Sequence, residues 1–483
     1  MGAVPADLTS TSLDELLRLN SMLLHERHHW LQHVGTSGGI YNSLLLNIEA
    51  GYVASMCDME RLTEDDLPLM LSPAKAHEDL LAVWEHVEAV RRSFFGCRIG
   101  TYRELDRSGS LSTRFLTEQL GHHLVKSVPG PDGGELRLPQ WPDELFRDRP
   151  QYLVLQHRGW AFGARHLMEF SARVCEILKL GVDRARANLA PLDLSRYLVG
   201  VYRVAYDVFL DGCGTETRGV TTLVAAAVVC DLALNVIHPP VAPAFLASPG
   251  QRLIEFAMAL KGFDFTQAVV IDRPDDVRSF VEGIHRHIEE EIGFSVGSVP
   301  KVVTGIFGHL EPTAMAASLF GPGDAAERPP LPDNAPLRWL ASLWAEAARI
   351  RIDNPEFFAL PSAAYMHDRP YFHTLFDRVA PPVIKRDGLM HPSRQETASA
   401  QWLAFSLELA VHADLLRGII YCRPEELATL LARHGKALSP DTEMSDFHAR
   451  LLFGAILAAC HHGPLGTALT RRVAALLDRE PPA

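Results

Sequence analysis

The sequence predicts a mainly α fold: a helical, multi-domain protein with few short strands. Three observations carry that expectation. Stretches of ten residues or more repeat apolar positions three and four apart, among them DELLRLNSMLLHERHHWLQHV, HEDLLAVWEHVEAVRRSFF, RHLMEFSARVCEILKL and RSFVEGIHRHIEEEIGF. Strand candidates are short and few, namely YLVLQ at 152–156 and AVVID at 268–272. Finally, 483 residues are too many for one core, so about two to three domains are expected.

Taken in order, the first element is announced by Ser12-Leu13-Asp14-Glu15, a capping box in which the serine caps a helix and Glu15 reaches back to it. No Gly or Pro follows until Gly35, so one helix is expected from about 13 to 34. The GTSGG stretch (35–39) reads as a turn, with a second helix starting near 40 in GGIYNSLLLNIEAGYVASM. Two Pro/Gly-rich breaks, at 127–150 and 320–336, divide the chain into regions 1–128, 151–320 and 337–483. GVTTLVAAAVVCDLALNVI (219–237) is nearly long enough to span a bilayer. Asp231 and Asn235 interrupt it, and it is read as a buried core helix. The last region adds ETASAQWLAFSLELAVHADLL and MSDFHARLLFGAILAAC. No period of 20 to 50 residues marks a repeat array.

Composition narrows the function classes. The 47% hydrophobic and 22% charged fractions are those of an ordinary soluble globular protein. A net charge of −13 without a long Lys/Arg run argues against nucleic acid or an anionic membrane as the main partner. The first residues lack the basic start and apolar core of a secretory signal, and Ala6 stands where a myristoylation motif wants Ser or Thr. Seven cysteines are scattered singly, with no C-x-x-C, so reduced thiols and a cytoplasmic location are expected. Oligomeric state is not readable.

HERHH (25–29) carries the chemistry. It fits H-E-x-x-H, which arises by chance in roughly one such chain in twenty. On the expected helix His25 and His29 share one face, as a metal requires, and Glu26 lies one position round, within reach of a metal-held water. Leu24, Trp30 and Leu31 surround the motif and point to a buried helix. The competing reading is a core helix with hydrogen-bonded histidines. A catalytic zinc takes three protein ligands and leaves a position for water. Glu49 is one candidate for the third. It interrupts an apolar face (Leu45, Leu46, Tyr52, Val53), and it lies as far from the turn as His25, which sets the two level across a hairpin.

The motif resembles that of the gluzincin group of zinc peptidases, in which H-E-x-x-H pairs with a later helix reading E-G-x-A. Glu169-Phe170-Ser171-Ala172 is similar to that second element but has Phe170 where Gly is usual. Gln32, Gly35 and Thr36 resemble an H-E-x-x-H-x-x-Q/D…G-T ending in bacterial proteins of this kind. The resemblance covers about residues 20–40 and 163–178. It implies Glu169 as the third ligand, favoured over Glu49, although the His29-x19-Glu49 spacing also looks like that of thermolysin-type peptidases. The competing reading for Glu169 is a surface carboxylate paired with Arg165 or Arg173. Since such enzymes supply a Tyr or His from outside the motif to hold an oxyanion, SAAYMHDRPYFHTLFDRV (362–379) offers Tyr365 and His367, with His373 close by.

The remaining histidines rank lower. His33 is a substitute ligand one turn on, and His28, facing away from the pair, is read as structural. His122-His123, His461-His462 and His285-x-His287 diverge on a helix. No Walker A loop, dinucleotide fingerprint or G-x-S-x-G elbow is present.

The expected function is therefore a zinc metallohydrolase acting on a peptide or protein. Zn²⁺ is the expected ion and Fe²⁺ an alternative. An Fe(II)/2-oxoglutarate peptide hydroxylase, which some H-E-x-x-H proteins resemble, would use the same donors. A non-catalytic helical interaction protein is the third reading. Only 24 residues precede His25, so a substrate-binding edge strand would have to come from 150–160 or later.

Overall fold

A computed structural model describes residues 12–40, 42–43, 57–71, 128–129, 135–136, 155–157, 160–216, 218–235, 249–266, 269–271, 273–293, 298–312, 335–381, 383–386, 389–392, 400–438 and 446–479. These are mainly α, as expected. Helix α1 runs Leu13–Gly35 and starts at the capping box: Glu15 N–H donates to Ser12 Oγ at 3.3 Å, and Ser12 N–H donates to Glu15 Oε2 at 2.9 Å. Its inner face buries Ser21, Leu24, His25, His28, Leu31, Gln32 and Val34. That stripe keeps helical spacing, but much of its chemistry is polar.

The expected turn over 35–39 shrinks to one residue. Thr36 Oγ1 donates to Gln32 O (2.6 Å) and accepts from Gly39 N–H (3.0 Å), so one side chain ends α1 and caps the next helical stretch, which begins at 37. Gly35 is required by packing, because a Cβ there would run into the Phe358 ring. Glu49 and the His122-His123 pair lie outside the described residues.

A hairpin, β1 Leu155–His157 with β2 Trp160–Phe162, leads into α2, Ala164–Arg186. This is close to the strand expected at 152–156. The α2 helix packs antiparallel to α1: Asp14 meets Arg184 near one end, His28 meets Cys175 in the middle, and Gln32 meets Ser171 near the other. Four more helices complete a core with α2, namely Val201–Cys213 (α3), Val220–Leu234 (α4), Pro249–Ala259 (α5) and Pro274–Ile292 (α6). The apolar segment 219–237 is the middle of that core, buried at every residue from Thr222 to Leu234. Among the described residues no helix is long and apolar enough to cross a membrane.

The AVVID segment is not a strand where it is described. Residues 269–271 form an irregular link, in which Val269 and Ile271 lean on the core and Val270 is exposed. Pro274 starts α6 three residues on, and no strand among the described residues pairs with 269–271. The reverse occurs at 383–392, where Val383–Arg386 (β3) and Leu389–Pro392 (β4) form an antiparallel hairpin. Asp387-Gly388 between them is the sequence signal for such a turn.

The buried clusters are not contiguous in sequence. Helix α1 shares a cluster with Ala335–Asp353 (α7), Pro355–Ala359 (α8), Pro361–His367 (α9) and Arg369–Arg378 (α10). Residues 57–69 instead pack with four C-terminal helices, Ala400–Tyr421, Pro424–Leu438, Asp446–Ala459 and Pro464–Leu476.

A buried ion pair ties the first two clusters together. Arg351 of α7 donates to both oxygens of Asp231 of α4, at 2.5 and 2.9 Å, and through Nε to Gly35 O at 2.8 Å. Asp231, the charge that interrupts the apolar segment, is thereby neutralised inside the core. Truncating Asp231 to Ala leaves the Arg351 guanidinium buried without its counter-ion, so D231A should lose about 3–5 kcal/mol in chemical denaturation.

His285 of α6 lies close enough to this pair to feel both charges. Burial, the largest influence, and the Arg351 charge push its pKa down from 6.5 to about 4, against the opposing effect of Asp231. A neutral buried imidazole binds fewer protons than the unfolded chain between those values, so the stability it contributes is complete above pH 6.5 and is lost as pH falls toward 4. Unfolding free energy should drop over this window, and H285L should flatten the profile.

Candidate metal centre

His25 and His29 lie one helical turn apart on α1, and Glu169 projects from the first half of α2, which the antiparallel packing sets opposite them. The result is a compact donor set. His25 Nε2 and His29 Nε2 are 3.0 Å apart, and Glu169 Oε2 is 3.8 and 3.6 Å from them. One donor atom from each of the three residues lies within 4.8 Å of the others. Ligands around a tetrahedral ion at catalytic-zinc bond lengths are about 3.3 Å apart, inside the range observed.

Hydrogen bonding fixes which nitrogens face inward. Gln32 Nε2 donates to Ser171 Oγ (2.6 Å) and to Met168 O (3.3 Å). A backbone carbonyl only accepts, so the amide oxygen must be the end that faces His29 Nδ1, at 3.0 Å. His29 therefore carries its proton on Nδ1. His25 Nδ1 lies 3.1 Å from Glu176 Oε2 without forming a hydrogen bond, so the carboxylate acts on this ring through its charge. When neutral, His29 thus turns its Nε2 lone pair toward His25 Nε2 and the Glu169 carboxylate. Donor atoms this close need a shared proton or a metal cation among them, and in this respect the residues fit a metal ion.

The electrostatics agree. Burial is the largest influence on His29 and works against its charged form, but the approach of Glu169, the Gln32 oxygen and the charges of Glu169 and Glu26 together raise its pKa above 6.5. Contact with His29 lowers the Glu169 pKa below 4.5, burial opposes this, and the charges of His29, His25 and Arg165 add to it. The cluster attracts positive charge and takes a proton when nothing else is offered.

His25 is buried, His29 and Glu169 are half-buried, and Glu26 is exposed. The set therefore opens to solvent on the side of His29 and Glu169, where the Glu26 charge is felt.

Of the other expected residues, Tyr365 and His367 are not part of this set. Tyr365 is buried, with its hydroxyl 3.5 Å from Asn20 Oδ1 and its ring between Lys179 and Arg369. Asn20 precedes His25 by five residues, about 7.5 Å along the helix. His367 is exposed at the end of α9. Residues 361–378 are helical, and that packing directs Tyr365 toward the earlier turns of α1. The ring beside His25 is Tyr202 of α3, edge-on at 6.1 Å.

His28 is structural, as expected, but it is buried in the α1–α2 seam with Nδ1 3.1 Å from Cys175 Sγ. Burial, chiefly, and the charges of His29, His25 and Arg351 hold its pKa well below 6.5. His33 contacts Ser43 Oγ at 3.1 Å and packs on Trp30. Two residues beside the donor set, Glu176 and Tyr202, do not stand out from the sequence pattern. Glu176 had a signal, a carboxylate inside the apolar run VCEIL and seven residues after Glu169 on the same face. Tyr202 had none.

No family model matches the chain, and neither does any curated protein or solved structure.

Purified protein is expected to carry one divalent ion per chain, measured by elemental analysis, and His29→Ala should abolish it. Because His29, whose pKa is raised by Glu169, must lose its proton before it binds an ion, affinity for added Zn²⁺ should rise with pH above 6.5.

Proposed function

We propose that this chain is a metal-dependent hydrolase, most simply a zinc peptidase, with His25, His29 and Glu169 as ligands and Glu26 as general base. The observation that supports this is the convergence of two imidazole Nε2 atoms and one carboxylate oxygen, with Gln32 on the outer nitrogen of His29 and the Glu176 carboxylate facing that of His25. A divalent ion bound there would supply Lewis acidity and a water acidified toward neutrality.

The chain's own residues would do the rest. Gln32 holds His29 in the tautomer that offers Nε2. Glu26, one position from His25 on the open side, takes a proton from the attacking water and delivers it to the leaving amine. The half-buried edge formed by His29 and Glu169 is where a peptide carbonyl would enter.

One observation favours a second reading, the iron- and 2-oxoglutarate-dependent peptide hydroxylase. Peptidases that resemble this motif lay substrate along a sheet edge, but strands among the described residues form only two-stranded hairpins. Two imidazoles and one carboxylate with open positions also suit Fe(II). Metal analysis of anaerobically purified protein separates the two: zinc supports the hydrolase and iron the hydroxylase. No stoichiometric metal in either preparation leaves a helical interaction protein.

Glu26→Gln tests the catalytic part. Glutamine keeps the size but takes no proton at neutral pH, so E26Q should fold and bind metal normally. Peptide hydrolysis should fall by roughly 10²–10⁴-fold. Wild-type turnover in E26Q would overturn the assignment of the base.

A further inference from the structure

Behind the donor set, on the same face of α2, stand two residues that touch no inward-facing nitrogen. Glu169, Arg173 and Glu176 follow one another at i, i+4 and i+7, so all three face α1. Glu176 is buried, and its two oxygens serve two different neighbours. Oε1 accepts from the Arg173 guanidinium at 2.6 Å, and Oε2 faces His25 Nδ1 at 3.1 Å. Arg173 is itself held, its guanidinium lying over the Tyr202 ring at 4.0 Å. The Tyr202 ring is also edge-on to His25.

We propose that Arg173 and Glu176 form a positioning arm for the His25 imidazole, with Tyr202 as the plate on which the arm rests. The proposal rests on the reading of His25 as a metal ligand. An exposed i,i+3 ion pair contributes little and has no reason to be buried. Here the carboxylate is buried and the guanidinium half-buried, and the second oxygen sits against a nitrogen that has no hydrogen-bond partner. Only a carboxylate can accept from Arg173 and still present a second negative oxygen to the His25 ring. It fixes the ring orientation, keeps the proton on Nδ1 and places negative charge behind the ring, which strengthens Nε2 as a donor. Arg173 holds the carboxylate in register and balances its charge.

The two imidazoles are therefore held differently. His25, the buried one, has a charged arm from α2. His29, at the solvent edge, has the neutral Gln32 amide from its own helix. On this view His25 anchors the ion and His29 leaves the open side adjustable.

The test uses the full chain, with Zn²⁺ affinity measured by competition against a chromophoric chelator and Co²⁺ absorption reporting site geometry. Glu176→Gln can satisfy only one neighbour, because its amide nitrogen would face either a donor on Arg173 or the N–H of His25. E176Q should weaken Zn²⁺ binding by about 10–100-fold and alter the Co²⁺ spectrum, with wild-type circular dichroism in the presence of chelator. Arg173→Met should weaken binding in the wild-type background and add nothing in E176Q, because it acts through Glu176. Wild-type affinity in E176Q, or additive losses in the double variant, would overturn the arm while leaving the metal site standing. If E176Q fails to fold, R173M alone decides, and an unchanged affinity and spectrum overturns the proposal. A wild-type chain that binds neither Zn²⁺ nor Co²⁺ overturns the arm and the metal-site reading together.

Discussion

The antiparallel contact between α1 and α2 is the constraint on which the rest depends. Helix α1 turns His25, His28 and Gln32 inward, and a buried polar atom without a partner costs about 1–3 kcal/mol. The α2 helix answers with Glu176 opposite His25, Cys175 opposite His28, and Ser171 with the Met168 carbonyl opposite Gln32. A seam built this way has one register. Sliding the helices by a turn would leave several imidazole and amide atoms facing aliphatic side chains.

Within that register the donor set is a remainder. The outer nitrogen of His29 bonds Gln32 and that of His25 faces the Glu176 carboxylate, so their Nε2 atoms are left to face one another and Glu169. The two Nε2 atoms are 3.0 Å apart, close enough to share a proton. The packing of the seam holds them there, beside a carboxylate, in a group that could hold a metal ion. The raised His29 and lowered Glu169 pKa values express the same closeness.

The far end of α1 is fixed by a different device. Arg351 clamps Asp231 with two bonds and the last carbonyl of α1 with a third. This joins the core around α4 to the cluster that holds α1, and the Phe358 ring over Gly35 closes the joint. The motif helix is thus held along its side by α2 and at its end by α7, and its opposite face is left open at Leu23 and Glu26.

Local features of the chain were legible because they depend on spacing alone. The capping box at Ser12, the helical run through HERHH, the shared face of His25 and His29, and the buried character of 219–237 all follow from residue types at fixed intervals. Glu169 was legible only through its resemblance to a second motif, since 139 intervening residues carry no distance information. What the tertiary structure decided was everything that needs two elements at once. Glu176 and Gln32 became the outer partners of the imidazoles, Tyr202 rather than Tyr365 came to lie beside His25, and Asp231 found its cation 120 residues away. Residues 269–271 stayed irregular while VIKR and LMHP paired, because a strand exists only when another segment is there to bond with it. The sequence alone determined which side chains each helix would turn inward. Only packing determined what they would meet, because hydrogen-bond and ion-pair partners are chosen by proximity in space.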